Sequence, residues 1–210
     1  MIRVCIVDDH AVVREGLKQI ISENPGIVVT AEAADGHEAL KVIQEQPCDV
    51  VLLDITMPRK NGMDVLKELR ARSPKLSILV LSMHAEDQYA VRVLRAGAAG
   101  YLTKESAPEK LIEAIRKVGR GGKYLSAAVA ERVIYELQSD TSQAPHAILS
   151  DREYQVMCMI GSGKTVTEIS EELALSVKTV STYRVRILEK LNMKNNAEVA
   201  RYAIKEGLVD

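Results

Sequence analysis

Phenylalanine and tryptophan are absent from this chain, and seven tyrosines are its only aromatic residues. The cores must therefore be filled by Leu, Ile, Val, Ala and Met, and a stacking platform for single-stranded nucleic acid is disfavoured for want of rings. An excess of either charge is also lacking, since 28 Lys+Arg face 29 Asp+Glu for a net of −1. No global basic field exists to hold a polyanion, so any nucleic-acid site must be local. The three cysteines, Cys5, Cys48 and Cys158, are odd in number, far apart and set inside apolar runs. They read as buried thiols in a reducing compartment rather than as a disulfide or metal framework. No apolar run approaches the ~20 residues of a membrane span, and Met1 leads into an apolar strand without a signal-peptide pattern, so a cytoplasmic location with no membrane partner is expected.

What remains is an ordinary globular composition, 47% hydrophobic and 27% charged over 210 residues. At ~100 to 200 residues per domain that length allows one large domain or two small ones. Short apolar runs recur at 3–7, 27–31, 50–53, 77–81 and 98–102, and between them lie amphipathic stretches of helical period near 11–23, 36–46, 62–72, 86–96 and 108–119. Strand and helix thus alternate five times. Strands of continuous hydrophobicity in that order predict an α/β fold, a five-stranded doubly wound parallel sheet with helices on both faces. The pattern changes after Gly121-Gly122. Residues 123–147 read as a linker, with a helix near 126–138 and a polar stretch from Ser139 to Ala147. From 148 to 210 only helices are expected, a small all-α domain. Two of its helices open on the same S/T-x-x-E capping box, Ser150 with Glu153 and Thr165 with Glu168.

The ends of the strands carry the first chemistry. The first ends in Asp8-Asp9, the third, expected at the sheet's centre, in Asp54, the fourth in Ser82, and the fifth runs into a loop bearing Lys104. In an open parallel sheet, ligands bind outside the carboxyl ends of the strands, so these side chains should meet in one crevice. Carboxylates gathered there repel by ~4 kcal/mol per close pair at an effective dielectric near 20, which a divalent cation relieves. Hard oxygen ligands suit Mg²⁺, with Mn²⁺ also fitting. Asp54 can act as nucleophile and form an acyl phosphate, while Lys104 and the Ser82 hydroxyl neutralise phosphoryl oxygens. Thr56 and His84 are placed at the pocket mouth. His10, His37 and His146 lack partners at metal-ligand spacing and are read as structural or solvated.

Val-Asp-Asp-His at 7 to 10, Asp-Ile-Thr-Met-Pro-Arg-Lys-Asn-Gly at 54 to 62, Ser82, and Gly-Tyr-Leu-Thr-Lys at 100 to 104 resemble the receiver domain of bacterial two-component response regulators. The resemblance covers about 120 residues; it implies a flavodoxin-like receiver at 1–122. It implies further that Asp54 accepts a phosphoryl group from a sensor histidine kinase. Asp8, Asp9, Asp54 and the backbone carbonyl of Thr56 would hold Mg²⁺, Ser82 and Tyr101 would form a switch pair, and Lys104 would bind the phosphoryl group.

Gly161-Ser-Gly-Lys-Thr165 looks like the end of a nucleotide-binding P-loop, but Cys158 occupies the first glycine position and a helix rather than a strand precedes it. A helix-terminal glycine turn followed by the Thr165 cap accounts for the same letters. Further on, Ser176 caps a helix to about Leu191 in which Val180, Tyr183, Ile187 and Leu191 share the inward face. Lys178, Ser181, Thr182, Val185 and Glu189 lie opposite, flanked by Arg184 and Arg186. From 176 to 194 five basic residues face one acid, a local +4 inside a 148–210 segment that balances at nine against nine. Small polar residues near the start of such a helix suit a helix-turn-helix whose second helix enters the major groove of double-stranded DNA. The hydroxyls of Thr179, Ser181 and Thr182 can reach base edges, Val185 can touch a thymine methyl, and Lys178, Arg184 and Arg186 can hold phosphates.

The stretches 149–153, 160–165, 168–173 and 176–191 resemble the LuxR-type DNA-binding domain of the NarL/FixJ response regulators. The chain departs from that pattern in Tyr183, where His is common, and in Val166-Thr167, where Asn-Lys is common. The resemblance implies a four-helix domain whose last helix, near 197–205, supports a homodimer on DNA. Half-sites about 10 bp apart, or a multiple, are then expected. Two rival readings share parts of this pattern: a phosphatase or phosphotransferase working through an aspartyl phosphate, and an interaction protein that never touches DNA. The short connections leave no substrate-recognition insert for the first.

Overall fold

The computed structural model describes residues 1–58, 60–82, 86–127, 129–131, 133 and 144–209, with the side chains of 86–89 left aside. The chain forms two compact units, Met1–Val129 and Ala130–Asp210. In the first, β1 (Ile2–Val7), β2 (Ile27–Ala33), β3 (Val50–Asp54), β4 (Ser77–Ser82) and β5 (Gly100–Thr103) alternate with α1 (Ala11–Ser22), α2 (Gly36–Glu45), α3 (Gly62–Arg72), α4 (Glu86–Arg95) and α5 (Pro108–Gly119). The sheet is parallel throughout, in the order β2-β1-β3-β4-β5. Because side chains alternate across a strand, Val4 and Ile6 of β1 join Leu17 and Ile21 of α1 and Leu111, Ile112, Ile115 and Val118 of α5 in one core layer. α2 packs on β1 and β2, α3 on β3 and α4 on β5. The chain leaves β1 toward β2 and leaves β3 in the opposite direction, so the crevice between the ends of β1 and β3 is the switch point of the fold.

The five strands and helices fall where the hydrophobic periods place them, with one correction. β2 is not continuously buried: Val28, Thr30 and Glu32 reach the surface. It is an edge strand, and Glu32 there meets Arg14 and Lys18 of α1.

Met57 is wholly buried, and Asn61 caps α3 by accepting from the amide of Asp64 at 2.8 Å. A Cβ at Gly62 would stand 2.1 Å from the Asp54 carbonyl oxygen and 2.6 Å from the Ile55 Cα. Asn61-Gly62 is therefore a close approach of α3 to the backbone of the site. Gly62→Ala should cost the first unit at least the ~1–3 kcal/mol of an overpacked core and disturb the loop after Asp54. A thermal melt of that variant, unchanged from the parent, would contradict this.

Tyr124 forms an isolated bridge with Gly100 beyond the edge of β5, its amide donating to the Ala99 carbonyl at 2.9 Å. The helix expected near 126–138 lies partly outside the described residues; within them 127, 129–131 and 133 are helical. The second unit holds a short 3-10 turn (Pro145–Ile148), then α6 (Asp151–Gly161), α7 (Val166–Glu172), α8 (Val177–Lys190) and α9 (Asn196–Lys205). α6 is its centre, buried from Glu153 to Gly161 and in contact with α7, α8 and α9. Both expected capping boxes are present, on Ser150 with Glu153 and on Thr165 with Glu168. Just past the end of α6, Gly163 with a φ of +83° lets the Lys164 amide donate back to the Met159 carbonyl at 3.0 Å. The helix α6, not the strand a P-loop would require, leads into the Gly-Ser-Gly-Lys-Thr letters.

Candidate phosphoryl site and helix-turn-helix

Strand direction brings the acidic residues together, because β1 and β3 are neighbours in parallel register and end level with each other. Asp8 and Asp54 are buried, Asp9 is half-buried, and Ser82 is buried at the end of β4. The Lys104 ammonium enters from the loop after β5 and lies 2.7 Å from Asp8 Oδ2 and 2.9 Å from Asp54 Oδ2. Its backbone is fixed by a 2.8 Å hydrogen bond from the Lys104 amide to the Ser82 carbonyl. Asp54 Oδ1 accepts from the amide of Thr56 at 3.0 Å, and Asp8 Oδ1 from that of His10 at 2.9 Å. Arg14 reaches back from α1 to the Asp8 carbonyl at 2.8 Å.

One neighbour was not expected. His10 Nδ1 is 3.0 Å from Asp9 Oδ1 and 3.3 Å from Asp8 Oδ1, so the ring stands beside the acids, although it is 65% exposed. One ligand atom each of Asp8, Asp9, His10 and Asp54 lies within 4.8 Å of the others. The earlier reading of His10 as lacking metal-site partners is corrected on this geometry; the ring follows Asp9 directly and turns back over it. His37 is exposed, and His146 Nδ1 lies 2.8 Å from the Tyr202 hydroxyl, away from any acidic cluster. His84 lies outside the described residues. Tyr101 is buried within β5.

Burial, against the opposing pull of Lys104 and the Thr56 amide and with the nearby Asp8 charge adding to it, leaves the Asp54 carboxyl pushed up to about 6. For Lys104 burial acts downward, but the charges and hydrogen bonds of Asp54 and Asp8 prevail and hold the ammonium above its ordinary value. Three carboxylates thus share one ammonium and an imidazole. Asp8 Oδ2 and Asp9 Oδ1 are buried without a hydrogen bond, the first 2.7 Å from the Lys104 ammonium and the second 3.0 Å from the His10 ring. Such a set of under-satisfied hard oxygens fits a divalent cation held by carboxylates.

The cysteines are free, and burial raises the thiols of Cys5 to about 12 and of Cys48 to about 11. Cys48, expected to be buried, is only half-buried, because it sits in the turn before β3.

α8 buries Val180, Ile187 and the following Leu191 and leaves Lys178, Thr182, Val185, Arg186 and Glu189 exposed. Its N-terminus is capped by Ser176, which accepts from the Thr179 amide at 3.0 Å. Three of the expected DNA-contacting groups are already engaged within the unit. Thr179 Oγ1 lies 2.8 Å from Ser176 Oγ, Thr182 Oγ1 donates to the Lys178 carbonyl at 2.9 Å, and Arg184 Nε donates to Asn196 Oδ1 at 2.5 Å. Lys190, counted in the local +4, is paired at 2.6 Å with the buried Glu153 carboxylate. The exposed cations of the outward face are therefore Lys178 and Arg186.

A switch-point crevice of buried acids with a lysine between them, and a separate unit of capped helices closing on a helix-turn-helix, define the class of two-component response regulators. Residues 4–116 match the family described as response regulator receiver domain, and 147–203 match that described as bacterial regulatory proteins, luxR family. The chain belongs to the NarL/FixJ response regulators, built from a receiver domain and a LuxR-type helix-turn-helix domain. It is 39% identical over 209 residues to the response regulator UvrY of Escherichia coli K12, covering 99% of this chain and 96% of that one. It is 38% identical over 211 residues to the response regulator GacA of Pseudomonas aeruginosa, covering 100% and 99%. Among solved structures it is similar, at 26% identity and a TM-score of 0.61 over 96% of this chain and 97% of that one, to RcsB from Salmonella enterica serovar Typhimurium bound to a promoter in the presence of phosphomimetic BeF3−. Among the described residues no helix is long and apolar enough to cross a membrane.

Proposed function

We propose that the chain is a cytoplasmic transcription regulator switched by phosphoryl transfer from a sensor histidine kinase to Asp54, with 1–122 as receiver, 123–147 as linker and 148–210 as DNA-binding domain. The observation that carries this reading is the Lys104 ammonium between Asp8 and Asp54, 2.7 and 2.9 Å away, at the sheet's switch point. Asp54 Oδ attacks phosphorus in line, the kinase's N–P bond breaks and an aspartyl O–P bond forms; the chain is a phosphoacceptor rather than a turnover enzyme. Asp8, Asp9, Asp54 and the Thr56 carbonyl would hold Mg²⁺ or Mn²⁺, which supplies charge neutralisation to the phosphoryl oxygens.

Each side chain then has a distinct task. The Thr56 amide orients Asp54 by holding Oδ1. Lys104, which shares its charge between two carboxylates, pairs with a phosphoryl oxygen instead, and the hydroxyl of Ser82 follows the added charge. Tyr101, on the neighbouring strand β5, completes the switch with Ser82. The new charge shifts a pre-existing equilibrium toward a homodimer, and α8 reads the major groove of double-stranded DNA as that dimer. The promoter-bound relative supports the last step by likeness.

The test is intact mass, sedimentation and binding to randomised duplex DNA, with and without Mg²⁺ and acetyl phosphate. Gain of one phosphoryl group together with tighter binding or dimer formation is expected; identical behaviour in both conditions would sink the reading. Lys178→Ala with Arg186→Ala should weaken binding to all sequences and flatten the slope of log affinity against log salt by about two, one per lost cation. Unchanged binding would instead support a regulator that acts through protein contacts alone.

A further inference from the structure

Among the exposed side chains of the outward stripe of α8, Lys178 alone keeps free hydrogen-bond donors, and the Ser181 hydroxyl beside it is half-buried. Lys178, Thr182, Val185 and Glu189 follow one another along it at helical spacing, opposite the buried Val180 and Ile187. Thr182 commits its hydroxyl proton to the Lys178 carbonyl one turn back, so it offers a ligand only a methyl group and an acceptor oxygen. Val185, one turn further on, is 46% exposed, one of the few large apolar side chains left at the surface among the described residues. Arg184, the cation nearest the middle of the helix, is held by Asn196. Glu189 at the far end would repel phosphates, which leaves the N-terminal and central turns to enter a groove.

The major-groove edges of the base pairs discriminate between these offers. A G·C pair presents the guanine N7 and O6 acceptors and the cytosine N4 amino donor; an A·T pair likewise presents two acceptors and one amino donor, and differs in carrying the thymine C5-methyl, which only apolar groups can read. The Thr182 methyl and the Val185 isopropyl, adjacent on one helix face, match that methyl, while the Thr182 acceptor oxygen could serve the amino group of either pair. Lys178 and Arg186 flank them and remain for phosphates.

We propose that the centre of α8 reads A·T base pairs through apolar contact of Val185 and the Thr182 methyl with thymine C5-methyl groups. This rests on the DNA-binding reading above and adds the chemistry by which the sequence is chosen. It places thymines, rather than guanines, under the middle of the helix in each half-site.

The experiment starts from the full-length chain with Mg²⁺ and acetyl phosphate, used to enrich bound duplexes from a randomised pool. The enriched duplex is resynthesised with deoxyuridine in place of each thymine in turn, which removes only the C5-methyl. One or two positions per half-site should then bind about fourfold more weakly, the loss of one buried methyl contact. Val185→Ala, or Thr182→Ser at its own position, should weaken binding to the thymine duplex and abolish the sensitivity to deoxyuridine, with thermal midpoints near the parent's. A duplex that tolerates deoxyuridine at every position, a half-site lacking thymine, or a Val185→Ala protein as sensitive as the parent would each overturn the proposal. Failure to enrich any sequence would overturn the DNA-binding reading and this one with it.

Discussion

Asp54→Ala is expected to abolish every response to a phosphodonor while leaving the receiver folded. The Asp54 carboxyl is enclosed at the end of β3 and pushed up to about 6 by that burial, so it is an expensive charge to carry in the free protein. Its removal does not strand the partner cation, because Lys104 keeps Asp8 Oδ2 at 2.7 Å. The variant should therefore melt, without divalent cations, within about 1 kcal/mol of the parent, well short of the ~3–5 kcal/mol that breaking a fully enclosed pair costs. Addition of Mg²⁺ should stabilise it less than the parent, since one of three carboxylates is gone. Intact mass after treatment with acetyl phosphate should show no added phosphoryl group, and sedimentation and DNA binding should be unmoved by the treatment. A phosphoryl group still gained by the variant would shift the acceptor role to Asp8 or Asp9. A collapsed fold would mean that Asp54 holds the sheet together as well as accepting the group.

The crevice was readable in the chain because strand order and strand ends are set by local signals: apolar runs stop at Val7, Leu53 and Leu81, and a polar residue follows each. The capping boxes at Ser150 and Thr165 were readable for the same reason, the chemistry lying within four residues. What escaped were contacts made by side-chain direction or by distant elements. His10 turns back over Asp9, the Gly62 backbone presses on Asp54, and β2 becomes an edge whose Glu32 faces water. On α8 the sequence shows four cations and three Ser/Thr hydroxyls, but it does not show that Asn196, twelve residues on, holds Arg184, or that Thr182 bonds its own helix. Composition marked α8 as basic, and only the fold reveals how few of those groups remain exposed.

Glu153 illustrates the same limit with the largest expected effect on the second unit. As a capping box it accepts from the Ser150 amide at 2.7 Å, which the sequence signals; as an ion pair it meets Lys190, 37 residues away, at 2.6 Å, which nothing local signals. The carboxylate is buried, whereas Lys190 is 39% exposed. The pair joins the first turn of α6 to the last turn of α8, so it sets the angle at which α8 is presented. Glu153→Ala removes both the cap and the cross-link. Lys190 can still reach water, so the cost should be about 2 to 3 kcal/mol rather than the ~3–5 kcal/mol of a fully enclosed pair. DNA affinity should fall at temperatures where the variant is still folded, because the exposed face of α8 is no longer held in register with α6. Burial alone would raise the Glu153 carboxyl, but Lys190 and the Ser150 hydrogen bonds outweigh it and hold the group below the ordinary carboxylate range. Such a depressed group stabilises the fold fully above its unfolded value near 4.3 and loses that contribution as pH falls through its native one. The parent's second unit should therefore lose stability below about pH 4, a loss that Glu153→Gln flattens while retaining part of the cap. Parallel melts of the full chain and the two variants between neutral and acid pH decide it. An equal acid loss in Glu153→Gln would place the titrating group elsewhere, and unchanged DNA affinity in Glu153→Ala would free the orientation of α8 from this pair.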